Sequence, residues 1–167
     1  IRKRIKMKNI KNMTLKEKIG QLIVAGFSGY EFNDHARTLI DEYKVGNIIL
    51  FARNVKDIRQ LYKLNASLYK SIMDSTGIMP FITIDQEGGM VTRIMKDATF
   101  FPGNMTLAAT KPDNAYMVGK MMGDELAALG INFNLAPVLD VNNNPKNPVI
   151  GVRSCSDNPK TVNDFGC

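Results

Sequence analysis

Apolar residues along this chain alternate between two arrangements: stretches with helical spacing, and short continuous runs of strand length. Thr14 followed three residues later by Glu17 is a capping box, and Leu15, Ile19, Leu22 and Ile23 then recur at helical spacing, so a helix starts at residue 14. Residues 22–27 could prolong that helix or form a first strand closed by Ser28 and Gly29; the strand is preferred. A second helix over 33–43 places Ala36, Leu39 and Ile40 on one side, and the run 47–51 after Gly46 reads as a second strand. Residues 57–74 carry Leu61, Leu64, Leu68 and Ile72 on a third helix that Thr76-Gly77 ends, and a third strand follows over 81–84. An irregular stretch through Pro102 and Gly103 separates it from a helix that starts around Lys111-Pro112-Asp113 and stops at Gly130. Residues 131–140 alternate as a fourth strand ending on Asp140, and the asparagines and prolines of 142–148 predict a loop. Strands that alternate with helices in this way predict repeated βαβ units, a parallel sheet and an α/β fold.

The third strand runs straight into polar residues: Phe81-Ile82-Thr83-Ile84 is followed by Asp85-Gln86-Glu87-Gly88-Gly89 and, four residues on, Arg93. A continuous apolar run fits a strand covered on both faces, and ligands of parallel sheets bind at the carboxyl ends of such strands. Period two sends Asp85 and Glu87 to one side and Gln86 to the other. The two glycines permit a sharp turn or the close approach of a ligand. Taken alone, an Asp at a strand end more often caps a turn, so the rest of the chain has to decide. Arg153, in the loop that follows Asp140, has the same two readings as Arg93: a fork onto ligand oxygens, or a partner for Asp85 or Asp140.

Composition changes this picture little. The 167 residues are 44% hydrophobic and 23% charged, ordinary for a globular domain. The formal charge of +6 suggests nucleic acid until its position is read: Arg2, Lys3, Arg4, Lys6, Lys8 and Lys11 hold six of the 22 cations, and the other cations match the 16 acids. Residues 1–12 therefore read as a basic, flexible leader and the body as neutral. No apolar run reaches the length of a membrane-spanning helix, and no signal peptide is visible. Cys155 and Cys167 form neither a disulfide framework nor a metal-ligand pattern and are read as thiols. No glycine-rich loop with GxG spacing or a Lys-Ser/Thr pair joins a strand to a helix, which argues against a nucleotide. The chain opens on Ile and stops soon after a helix-start signal at Asp157-Asn158-Pro159, so both ends are expected to be cut.

Together these motifs resemble the amino-terminal part of the family 3 glycoside hydrolases, in their β-N-acetylhexosaminidase branch. The resemblance rests on Met13 to Leu22, Gly46 to Phe51, Ile84 to Gly89 with Arg93, Phe101-Pro102, Leu135 to Val141, and Asn147 to Gly151 with Arg153-Ser154. It implies the first half of a (β/α)8 TIM-type barrel over residues 13–167. It also implies a retaining enzyme that removes terminal N-acetylglucosamine-type sugars from glycans or peptidoglycan fragments, without metal or organic cofactor. By position, Asp85, Arg93 and Arg153 would bind the non-reducing sugar, while Glu87 would partner an arginine. The branch's Asp nucleophile, its His acid/base and its Lys-His pair would all lie further along; the single histidine, His35, matches none of them, so no catalytic residue is assigned. Met90 and Cys155 depart from the branch's usual basic and aromatic residues, which bears on the shape of the sugar pocket. Such enzymes work in the cytoplasm or outside the membrane, and the sequence leaves both open. A barrel needs about 250 residues and eight strands, so the fragment is expected to be inactive and to dimerise through exposed barrel edges. The alternatives are a non-catalytic α/β sugar-binding module and an interaction protein marked by the basic leader.

Overall fold

A computed structural model describes residues 7–166. Its elements are α1 (Leu15–Gln21), β1 (Val24–Ala25), α2 (Asp34–Asp41), β2 (Asn47–Leu50), α3 (Ile58–Thr76), β3 (Ile82–Ile84), α4 (Asn104–Ala108), α5 (Pro112–Ala128), β4 (Phe133–Asn134) and α6 (Pro159–Gly166). The strands form one sheet in the order β1-β2-β3-β4, with β1–β2 and β2–β3 paired in parallel. Sequential strands joined by helices make the α/β architecture that the periodicity predicts. The chain divides into two compact units, one running to Ile84 and including Leu129–Phe133, the other comprising Asp85–Ala128 and the residues from Asn134 onward.

In the first unit the core lies between the sheet and α2 and α3. It draws on Ile48, Leu50, Ile82 and Ile84 of the strands and on Ile40, Leu61, Leu68 and Ile72 of the helices, all with no exposed surface. All three residues of β3 are buried, as expected of a strand covered on both faces. Asp57 caps α3 by accepting the Gln60 N–H, and Gly77, at φ +70°, ends it in the left-handed conformation that glycine adopts without strain.

Helix α1 forms where expected, with the reciprocal Thr14–Glu17 box in place, but it turns the other way. It buries Glu17 and Gly20, while Leu15 and Leu22 are 74% and 85% exposed. Gly20 is the cause: a Cβ there would lie 1.9 Å from the Lys44 carbonyl oxygen, so this face comes closer to its neighbour than any side chain allows. Glu17 is held by Lys8 Nζ at 2.6 Å, and the Lys8 N–H donates to Gly77 O at 2.9 Å. Arg2, Lys3, Arg4 and Lys6 of the expected leader lie outside the described residues, as does Cys167.

The first strand is shorter than the expected 22–27. Leu22 and Ile23 donate their N–H groups back to Ile19 and Gly20 in the last turn of α1, and Phe27 O is taken by Arg53 Nε and Asn54 Nδ2, both at 3.1 Å. Asparagine side chains do part of the sheet's pairing. Asn47 Nδ2 donates to Gln21 O and its Oδ1 accepts the Phe81 N–H; Asn132 Oδ1 accepts the Ile82 N–H and its Nδ2 donates to Pro80 O, both at 2.8 Å.

In the second unit, Asn134 repeats this device, its Oδ1 accepting the Gln86 N–H at 3.0 Å and its Nδ2 donating to Gln86 O at 2.9 Å. The fourth strand, expected over 131–140, is only Phe133–Asn134; Pro137 has no N–H to give a ladder. Within the stretch expected to be irregular, Asn104–Ala108 forms the short helix α4. Helix α5 matches its prediction and buries Met122 and Leu126. Helix α6 starts at the expected signal, where Asn158 Oδ1 accepts the Lys160 N–H.

Candidate active site: two guanidiniums on one strand end

The three residues after β3 each hold part of an arginine, and all lie in the second unit. Asp85 Oδ2 accepts from Arg93 Nη2 at 3.0 Å, with both side chains about a quarter exposed. Gln86, buried and pointing the other way as the strand period predicts, accepts the main-chain N–H groups of Arg93 and Ile94 at 2.8 and 3.2 Å. Glu87 accepts from Arg153 twice, from Nε at 2.9 Å and from Nη2 at 2.6 Å. Its side chain is 6% exposed, so this fork operates largely out of water, where charge-assisted bidentate pairs are strong.

The intervening loop is tightly folded. Gly88 and Gly89 have φ of +89° and +56°; a Cβ on Gly88 would lie 2.4 Å from Pro102 O, and the Gly89 N–H donates to Phe101 O at 2.9 Å. Glu87 and Val91 bond across the turn, so the chain returns at once and brings Arg93 back beside Asp85. On the Arg153 side, Asn104 Nδ2 donates to Arg153 O at 2.8 Å and Ser154 Oγ to Asp140 O, which fix the loop that carries the guanidinium. Arg153 Nη1 donates to Val149 O at 3.2 Å.

The hydrogen bonds to Glu87 raise the Arg153 pKa above its ordinary value; burial opposes them, and the charges of Glu87, Asp140 and Asp85 add to the rise. Asp85, Glu87 and Asp140 thus all act on one guanidinium. The structure joins Asp85 to Arg93 and Arg153 to Glu87, and Asp85 acts on Arg153 through its charge. Sequence reasoning missed Gln86 and Asn104 as supports; the side of the strand was legible for Gln86, whereas nothing in the sequence marks Asn104.

Arranged in this way, the groups suit a polyhydroxylated ligand. A carboxylate only accepts and a guanidinium only donates, so alternating acceptors and donors match hydroxyls, which do both. A cavity of about 810 Å³ lined by α4, α5 and α6 borders this site through Glu87 and Asn104; Leu107, Tyr116, Met122 and Phe165 give it apolar walls, and Asp85, Arg93 and Arg153 do not line it. Among the described residues, no cluster of three or more His, Cys, Asp or Glu could hold a metal ion. His35 is exposed on α2 in the first unit. Cys155 is buried, which pushes its thiol pKa up.

Sequential parallel strands joined by helices define an α/β domain of the kind that (β/α) barrels are built from. Residues 14–167 match the model of the glycosyl hydrolase family 3 N terminal domain, and the chain belongs to that family. It is similar to β-hexosaminidase A of Pseudoalteromonas piscicida, 48% identical over 134 residues, which are 77% of this chain and 22% of that protein. It is also similar to the β-hexosaminidase of Photobacterium profundum, 38% identical over 80% of this chain and 39% of that protein. The chain thus spans well under half the length of both relatives. Among solved structures, a family 3 β-N-acetylglucosaminidase from Paenibacillus superposes with a TM-score of 0.89 at 50% identity, covering 92% of this chain and 30% of that one. NagZ from Neisseria gonorrhoeae, solved in complex with N-trifluoroacetyl-D-glucosamine, superposes at 0.76 with 29% identity, covering 86% of this chain and 43% of that one.

Proposed function

We propose that the protein carrying this chain is a retaining β-N-acetylhexosaminidase that removes terminal N-acetylglucosamine-type sugars from glycans or peptidoglycan fragments. Residues 13–167 supply the sugar grip: Asp85 accepts from sugar hydroxyls, and Arg93 and Arg153 donate to them. The observation that carries this reading is the pairing at the end of β3, where Asp85 and Glu87, two residues apart, orient two arginines separated by 60 positions. The names of the similar proteins and the N-acylated glucosamine held by one of them support the sugar class. The test is hydrolysis of a chromogenic β-N-acetylglucosaminide by the complete reading frame. No turnover, with sugar binding retained, would favour the alternative of a non-catalytic sugar-binding module.

Self-association of the chain belongs to the same proposal. In the first unit, Leu15 and Ile19 of α1, Leu22 just after it and Val24 of edge strand β1 are 40% or more exposed, an apolar stripe beside a strand bonded on one side only. A second copy that covers this stripe satisfies both needs. Light scattering of the 167-residue chain should return a dimer mass, and a monodisperse monomer would refute the association.

A further inference from the structure

Both arginines at the site have a carboxylate partner before any ligand arrives. Arg153 spends its Nε–H and one Nη2–H on Glu87 and one Nη1–H on Val149 O, which leaves two of its five donors for anything else. Arg93 faces Asp85 at 3.0 Å. Two guanidiniums are thus matched by Asp85 and Glu87, and Asp140 adds a third carboxylate whose charge reaches Arg153. A site built to hold a phosphate or carboxylate leaves its arginine forks open and uncompensated. Here the better-buried fork is closed by Glu87, whose side chain is 6% exposed, so its charge is screened little by water.

We propose that Glu87 is a specificity-determining residue: by closing one edge of Arg153 and cancelling its charge, it sets the site for an uncharged sugar and against a phosphorylated or carboxylated one. The inference rests on the hexosaminidase reading for the identity of the sugar and goes beyond it in assigning the charge class. Glu87 acts through Arg153 and reaches the ligand by its charge, so it is a positioning residue as well as a filter. A carboxylate several ångströms from a phosphate repels it by an amount that depends on the local dielectric, and removing that carboxylate should strengthen phosphate binding by about tenfold or more. A neutral ligand gains nothing from the change and loses an oriented donor, so its affinity should fall by up to about tenfold.

The experiment is calorimetric titration of the complete reading frame with N-acetylglucosamine and with the same sugar phosphorylated on its primary hydroxyl, for the unchanged protein and for Glu87→Gln. The unchanged protein should prefer the neutral sugar by at least about tenfold, and the variant should shift that ratio toward the phosphorylated sugar by about tenfold to a hundredfold. A residue needed only for folding would weaken both ligands by one factor and leave the ratio unchanged; that result overturns the proposal. Equal affinity of the unchanged protein for the two sugars overturns it without any variant and leaves the hexosaminidase reading standing. Binding of neither sugar overturns both.

Discussion

Asp85→Ala separates binding from folding. The side chain has one structural bond, the 3.0 Å contact from Arg93, and with both partners about a quarter exposed that pair contributes at most about 1 kcal/mol to stability. Gln86 continues to hold the main chain of Arg93 and Ile94 through two hydrogen bonds, so the loop keeps its course without Asp85. The loss at the ligand is larger. A carboxylate that accepts from sugar hydroxyls contributes about 1.5–3 kcal/mol per charged hydrogen bond, and the sugar's donors are left unpaired when it goes. About 3 kcal/mol of transition-state binding corresponds to roughly a hundredfold in kcat/KM. The assay is hydrolysis of a chromogenic β-N-acetylglucosaminide by the complete reading frame, read beside a thermal melt. The expected result is a hundredfold drop in kcat/KM with a melting temperature lowered by a few degrees at most. Unchanged kcat/KM would remove Asp85 from the site, and a drop matched by unfolding would show that the residue only holds the loop.

The 167-residue chain alone should not hydrolyse that substrate, because Asp85 and Glu87 sit two residues apart at one strand end and are each held by a guanidinium, whereas a retaining mechanism needs its two groups on opposite sides of the scissile bond; measured turnover would refute this. Gly88→Ala should destabilise the chain by about 2 kcal/mol in a denaturant titration, since φ is +89° and the new Cβ would lie 2.4 Å from Pro102 O; an unchanged midpoint would mean that the loop shifts freely. Glu17 is held at a pKa of about 2, below its ordinary 4.5, chiefly by the hydrogen bond from Lys8 and then by the Thr14 N–H. Its stabilisation is therefore complete above about pH 4.5 and is lost as the pH falls toward 2, so Glu17→Gln should flatten that part of the stability profile; an identical profile would refute the linkage.

Local signals in the sequence carried far. The capping box at Thr14, the glycine stop at Gly77 and the period that turns Gln86 away from Asp85 and Glu87 each need only a few neighbouring residues, and each recurs in the structure. The orientation of α1 was not legible, because the apolar spacing of Leu15, Ile19 and Leu22 says nothing of a backbone approach that only Gly20 permits. Strand 131–140 was read too long because alternation persists past Asn134 although Pro137 has no N–H to give a ladder. The Glu87–Arg153 fork joins residues 66 positions apart, and no local rule selects that partner. The residues alone offered Arg153 as a fork onto ligand oxygens or a partner of Asp85 or Asp140, and only the resemblance made Glu87 the partner of an arginine.

The asparagines at the strand ends bear on how this chain avoids misassembly. Asn132 and Asn134 are two residues apart, so both amides face the same way, and each donates to and accepts from one backbone segment: Pro80 and Ile82 for Asn132, Gln86 for Asn134. A slip of the fourth strand by one residue would turn both amides to the opposite face and orphan the N–H groups of Ile82 and Gln86 at once. Alignment is thus written in two side chains rather than in a long ladder. A strand of two residues, which by itself would slide, thereby has one seat.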